Sequence, residues 1–508
     1  MSNIISYHNF MFPFRFDKII ECFDDRHQYY KNKEFDERVL IDNKFKKSLE
    51  DNNWKYKKFN INNSLDYNEI AYYYDFVKDS LFNIKDFDEK DKATSYYFTK
   101  NIQENSKYII KISKTDYRDE KEYILNLTSI SLRIFDTGVG ILSFETENIN
   151  YSDIKDILKI NDFGRRIYPQ FLGDNFNIDA TQNAFLPEYL EVNGIKEDFN
   201  REYKKLDIEL ASFITEILGD TFSTQKSKKN KYFIQPLLDD RMFVLCWYGS
   251  GKASNEIKQN WKENDNWYKF VFIDGVEKMV QDNSMQNKLI EQSTYTRWND
   301  YGTFYGITRY SFVCLTDRKF FGTNIISNHI KTIYFQLIIL LLAQRGSILR
   351  FSDEITAISD INQEDEISKN ISVLYKNYLR FKNKLYFKEV TAQEQGIELY
   401  DKAREIMRID SDITDLSNEI LSLNSYAFFL EEREEKKQMN KLTKLGTIFL
   451  PGTFIAGVFG MNIFPENFLN NIITGFVLAF GSIIGLTYYL AKINDISIKD
   501  FFTKDKNE

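Results

Sequence analysis

The chain has 508 residues, a formal net charge of −8, and 43% hydrophobic and 16% aromatic residues. That acidic balance argues against a general nucleic-acid binder, and the length leaves room for two or three domains. Cys22, Cys246 and Cys314 are odd in number and far apart, and with His8, His27 and His329 they suggest neither a disulfide frame nor a metal site.

The opening MSNIISYHNFMFPF lacks the basic n-region and long apolar run of a signal peptide, so the segment ahead of the C-terminal apolar pair is expected in the cytoplasm. Residues 1–105 are charged and aromatic with mixed patterns and read as an N-terminal cytoplasmic extension. Within them Tyr67–Phe82 predicts a helix and Asp86–Lys92 a loop. From Tyr108 strand patterns take over: Tyr108–Lys114, Tyr123–Leu127, Ser131–Phe135 and Gly138–Thr146, with a turn at Asp136-Thr137-Gly138. A helical pattern covers Asp198–Leu218, and lysine-rich Thr224–Lys231 reads as a solvated loop, with phosphate binding as its functional alternative. Further strands are predicted at Tyr232–Leu237, Met242–Trp247, Tyr268–Ile273 and Thr303–Leu315. Residues 106–387 thus read as a mixed α/β domain with helices.

Ile333–Ala343 is apolar but short and interrupted by Gln336, which suits a buried core helix better than a membrane span. Two long helices follow, Asp353–Lys384 and one from Lys388 onward. The second, over 388–444, carries Ile406, Ile409, Ile413, Leu416, Ile420, Leu423, Ala427 and Leu430 at alternating spacings of three and four. Such a seam packs against other helices, either inside one subunit or as a stalk repeated around an axis.

Leu445–Phe464 and Ile472–Ala491 contain no charged residue. Each is about 30 Å long at 1.5 Å per residue, enough to cross a bilayer, and the short joint Pro465–Asn471 makes them a hairpin. Lysines 436, 437, 441 and 444 precede the pair, and lysines 492, 499, 504 and 506 follow it. The joint has no basic residue, so both termini, including the tail 492–508, are expected on the cytoplasmic side of the inner membrane. Gly452, Ala456 and Gly460 form one ladder of small residues and Gly481 with Gly485 another, permitting close helix contact in lipid.

Thr447–Asn462 (TIFLPGTFIAGVFGMN) resembles the pore helix of CorA-type magnesium channels, which end in two membrane helices with Gly-Met-Asn at the outer mouth. Phe459 stands where that family usually has Tyr, and Pro465-Glu466 matches its outer loop. The resemblance implies a pentameric funnel: an α/β cytoplasmic domain, a stalk helix and a transmembrane hairpin. It also implies Mg2+ as the transported ion, with no metal held as a structural cofactor. Magnesium sheds water reluctantly, so a ring of neutral Asn462 amides at the Gly460-Met461-Asn462 mouth suits a hydrated ion, and Glu466 would concentrate cations. Carried over from the family, Thr453 would line the pore below Asn462, and Leu450, Leu442 and Met439 would form an apolar gate. Each of these also reads as a packing residue. Lys436 departs from the family's neutral inner mouth and would repel divalent cations unless paired with Glu432 or Glu435.

The cytoplasmic part is longer than usual for that family and is similar to CorA-like membrane proteins associated with type III CRISPR systems. Asn161–Arg166 (NDFGRR) and Asp239–Val244 (DDRMFV) carry that likeness. It implies an adenine-nucleotide second messenger, S-adenosylmethionine joined to AMP (SAM-AMP), as activator. Arg165 and Arg166 are suitable forks for a phosphodiester, and Asp239 or Asp240 could accept from an amino group or ribose. The bland alternative makes both blocks surface salt bridges. The expectation is a messenger-gated channel acting in antiviral defence. Its alternatives are a housekeeping Mg2+/Co2+ transporter regulated by intracellular Mg2+, and a membrane-anchored nucleotide-processing enzyme. No catalytic constellation stands out, so an enzyme is not expected.

Overall fold

A computed structural model describes residues 3–18, 41–82, 93–114, 119–167, 186–199, 210–224, 231–359 and 364–460, with residues 477, 480–482, 484, 485, 488 and 489. The chain divides into two compact units, Met1–Asn362 with Asn370–Leu421, and Gln363–Lys369 with Ser422–Glu508.

The first unit is organised by a 14-stranded sheet. Strands β1 (Ser6–Lys18), β2 (Trp54–Tyr56), β3 (Ser95–Lys100), β4 (Lys107–Ile112) and β5 (Lys121–Phe135) come first in the chain. Next are β6 (Val139–Asn148), β7 (Tyr189–Val192), β8 (Ile195–Asp198), β9 (Phe222–Ser223) and β10 (Tyr232–Pro236). Last are β11 (Phe243–Gly249), β12 (Thr294–Tyr295), β13 (Phe304–Ile307) and β14 (Ser311–Thr316). The main path runs β12-β13-β14-β11-β1-β6-β5-β4-β7-β8, with β9 joined through β10 to β1 and β2 joined through β3 to β5. Pairing is antiparallel except between β11 and β14 and between β9 and β10.

β1 lies at the centre. It pairs with β6 along one edge from Ser6 to Arg15, while the other edge meets β11 over Ser6–Met11 and β10 over Phe14–Lys18. Pro13, which has no N–H for a ladder, falls at the changeover from β11 to β10. Phe10, Phe12, Phe14 and Phe16 alternate along the strand and are all buried. The break expected at residue 105 therefore falls inside one sheet, because β1, β2 and β3 precede it and β4 follows.

Several local expectations hold. The turn at Asp136-Thr137-Gly138 joins β5 to β6, with Gly138 at φ +76°. Tyr123–Leu127 and Ser131–Phe135 are one strand, bulged between Leu127 and Ser129. Others are corrected. Tyr268–Ile273 lies not on a strand but at the end of a helix, Asp265–Phe272, started by Asn264 accepting from the Trp267 N–H. Its buried residues Trp267, Tyr268, Phe270 and Val271 follow helical spacing, which a short apolar run conceals. Thr303–Leu315 is a hairpin of β13 and β14. Tyr67–Phe82 breaks into helices Ser64–Ile70 and Asp75–Leu81, and of Asp198–Leu218 the described helix is Ser212–Leu218. The Asp86–Lys92 loop and much of Thr224–Lys231 lie outside the described residues.

Ile333–Ala343 opens the helix Ile333–Ser359. Among the described residues, one helical stretch, Phe321–Ser359, is long and apolar enough to cross a membrane, yet 78% of its most apolar window is buried. Its polar side chains find protein partners. Gln336 accepts from Arg133 and donates to Glu69, and Gln344 donates to the Leu385 carbonyl. Arg350 donates to the Phe16 and Gly138 carbonyls and pairs with Asp17 and Glu354. The run is a core helix.

The predicted stalk is interrupted. Helix Glu394–Ile406 ends at Met407, Arg408 takes φ +59°, and a new helix runs Ile409–Gly460. Arg404 pairs with Asp410 across the break. The heptad seam is buried on both sides of the unit boundary. In the first unit Ile409, Ile413, Leu416 and Ile420 are covered, and Tyr378 hydrogen-bonds Ser417 beside them. In the second, Ala427 and Leu430 are buried and Ser368 donates to Glu431 at 2.9 Å.

Candidate functional site

The two sequence blocks proposed to meet a nucleotide lie side by side in the first unit. Helix Ile154–Gly164 packs onto β1. The space where Gly164 would carry a Cβ is filled by Phe10, whose Cζ lies 2.6 Å away. Asn161 Oδ1 is 2.7 Å from His8 Nδ1, and burial pushes the His8 pKa down to about 4, so the ring pins the helix as a neutral group. Arg165 and Arg166 follow at the helix end. The Met242 N–H donates to the Arg165 carbonyl at 2.8 Å, and Arg166 bridges Arg241 on the segment leading into β11.

Both arginine side chains are buried and turned on Asp162. Arg166 Nη2 is 2.7 Å and Arg165 Nη2 3.4 Å from Asp162 Oδ1, and Arg165 Nη2 also donates to the Ile273 carbonyl at 3.2 Å. Among the described residues, Arg165 Nε has no hydrogen-bond partner. Burial lowers the Arg165 pKa to about 10, with Asp162 opposing that shift. Burial alone would raise Asp162, but the guanidiniums of Arg166 and Arg165 outweigh it and hold the carboxyl low.

Asp239 and Asp240 both face Arg241 at 3.1 Å. Burial and the neighbouring Asp240 push Asp239 up to about 6, whereas Asp240 is held low, against its own burial, by its bond to Asp239 and by Arg241. Asp274 is also raised to about 6 by burial, with Asp162 adding repulsion. The four residues chosen from sequence thus share one charged cluster. Asp162 and Arg241, within the same two blocks, and Asp274 and Gly275, far away in the chain, complete it. Nothing in the spacing of Asp274-Gly275 signals that neighbourhood. Close by, Arg345 feels the Asp239 carboxylate and donates to the Arg309 carbonyl at 2.6 Å, and Arg309 Nε donates to the Ile406 carbonyl at 3.3 Å. The two hydrogen bonds end about one turn before the helix Ile409–Gly460.

In the second unit, Met439, Leu442, Leu450 and Thr453 occupy a sector of about 80° at 100° per residue. All four are exposed, but Phe449 and Phe454 are exposed equally, so exposure does not separate a pore face from a lipid face. The Thr453 hydroxyl donates back to the Phe449 and Leu450 carbonyls, at 3.1 and 2.9 Å, two residues after Pro451, whose nitrogen has no hydrogen to donate within the helix. Its oxygen keeps lone pairs that could accept from the water shell of a cation. Gly460 ends the described helix, and Met461, Asn462 and Glu466 lie outside the described residues. Lys436 pairs with Glu432 at 2.7 Å on the exposed helix surface. In the second apolar segment, Val477, Phe480, Ile484, Tyr488 and Tyr489 are helical and exposed.

A sheet-bearing unit followed in the chain by a long helix with an uncharged, exposed apolar end is a pattern that suits membrane attachment. Residues 350–492 match the family model described as CorA-like Mg2+ transporter protein. That family comprises membrane transporters of divalent cations and not enzymes, and the matched region spans the helices leading to both apolar segments. No curated protein matches the chain.

Proposed function

We propose that the chain forms a pentameric channel for hydrated divalent cations in the cytoplasmic membrane, opened by an adenine-nucleotide messenger of the SAM-AMP type. The observation that carries the channel reading is the uncharged end of helix Ile409–Gly460, exposed and inside the region matched by the Mg2+ transporter family. Asn462 amides would hold the hydrated ion at the mouth, Thr453 would accept from its water shell, and Leu450, Leu442 and Met439 would close the pore by dewetting.

Messenger control is supported by the charged cluster of Arg165, Arg166, Asp239 and Asp240, with the electrostatic influence of Asp239 on Arg345 and the hydrogen bonds from Arg345 through Arg309 to Ile406. A phosphodiester taking the guanidiniums would redistribute these charges and change how the long helix is seated. In a type III CRISPR setting, opening would arrest the infected cell by cation leakage. The housekeeping reading, Mg2+ uptake closed by cytoplasmic Mg2+, is favoured by the name of the matched family.

Dye-detected Mg2+ flux into proteoliposomes separates the two. Flux that requires SAM-AMP and is lost in Asn462→Ala supports the channel effector. Flux without messenger, suppressed by Mg2+ on the cytoplasmic face, supports the transporter. Absence of flux under both conditions overturns the channel reading.

A further inference from the structure

An arginine pair this deeply buried cannot meet a ligand without a rearrangement, and the residue it now holds is a carboxylate. Asp162 Oδ1 receives Arg165 and Arg166, while Asp162 Oδ2 receives the Gly275 backbone N–H at 3.3 Å. Two guanidiniums and a backbone amide converging on one carboxyl group are the donor set of an oxyanion site. The loop that brings the amide is built for close approach and is strained. A Cβ on Gly275 would stand 2.8 Å from Asp162 Cβ, and Ile273, a β-branched residue, takes φ +60° as its carbonyl receives Arg165. Arg165 Nε, buried and without a partner among the described residues, leaves the guanidinium able to gain a bond in another arrangement.

We propose that Asp162 is an internal stand-in for the ligand's phosphate: it occupies an anion site made by Arg165, Arg166 and the Gly275 amide, and it holds the Ile273–Gly275 loop shut until a phosphate or phosphodiester displaces it. This deepens the nucleotide-gating reading by naming its resting contact, and it rests on that reading for the ligand's identity. An anion pays for displacing Asp162, so its apparent affinity is reduced by the fraction of molecules in which the site is vacant.

The test uses the full-length protein in detergent, with inorganic pyrophosphate as probe and calorimetry as readout. Asp162→Ala vacates the site and is expected to tighten pyrophosphate binding by about tenfold or more. Gly275→Ala leaves the carboxylate but spoils its closed packing, and a smaller tightening, about threefold, is expected. It serves as the deciding variant should Asp162→Ala fail to fold. Adding Arg165→Ala to either variant should abolish the gain. Unchanged or weaker binding in the folded variants overturns the proposal. SAM-AMP-dependent flux is measured in parallel. Tightened pyrophosphate binding without messenger-dependent flux leaves the stand-in intact and removes the gating reading. Messenger-dependent flux with no gain in either variant does the reverse.

Discussion

Two apolar helices of similar composition have opposite surroundings. The run beginning at Ile333 lies in the sheet-bearing unit, where Gln336, Gln344, Ser347 and Arg350 each engage other protein groups and the apolar residues are covered. The run from Leu445 to Gly460 carries no charge, and its described large side chains Leu445, Phe449, Leu450 and Phe454 are exposed. A hydrophobic run thus becomes core where the chain supplies partners for its polar residues, and composition alone cannot separate the two surroundings.

The largest expected effect tests the core side of this comparison. Arg350→Ala removes the cation shared by Asp17 and Glu354 and one donor to each of the Phe16 and Gly138 carbonyls, and should destabilise the sheet unit by about 3–5 kcal/mol, read from the midpoint of chemical unfolding. Unfolding at the wild-type midpoint would show that the helix's polar residues do not hold it in the core. Next, Phe454→Lys should leave that unfolding transition in place while raising the cost of membrane insertion by about 2.5–3.5 kcal/mol, seen as a larger carbonate-extractable fraction. Loss of the folded sheet unit instead would make the helix end a core element.

A smaller effect concerns pH. Burial raises Asp274 to about 6, so the folded state binds its proton more tightly than the unfolded state does. Its contribution is fully present below the ordinary aspartate range and is lost as pH rises through about 6. Asp274→Asn keeps an acceptor for the Met279 N–H and should remove this loss, gaining about 1–3 kcal/mol above pH 6 and almost nothing at pH 4, as measured by unfolding at both pH values. The smallest effect is expected at Lys436→Gln. Its pair with Glu432 is solvent-exposed, so stability should not move, while the uncovered glutamate should raise divalent flux modestly in proteoliposomes. A drop in flux would mean that Lys436 does not face the ions.

Much of the strand set was legible because alternation and turn chemistry act locally. Gly138 takes the positive φ that its turn position suggests, and β4, β6, β10 and β11 stand close to their expected places. β1 was not legible: Pro13 disguises a central strand, and it is the changeover from β11 to β10 along its edge that makes the residue tolerable. The break at Met407–Arg408 was equally hidden, since no glycine or proline marks it and Arg408, a non-glycine residue, adopts the left-handed conformation. Of the candidate ligand site, the two blocks were readable as paired charges, but the arrival of Gly275 at Asp162 was not.

By itself the sequence determined the uncharged C-terminal segments, their flanking lysines and the heptad seam, because hydropathy, charge and helical period are properties of neighbouring residues. Only the tertiary structure decided that residues 6–18 are the centre of the sheet, that the Ile333 helix belongs to the core, and that Arg165 and Arg166 are held by Asp162 beneath a strained loop. Those outcomes depend on which distant groups arrive to satisfy a buried strand edge, a glutamine or a guanidinium, and local pattern carries no record of distant partners.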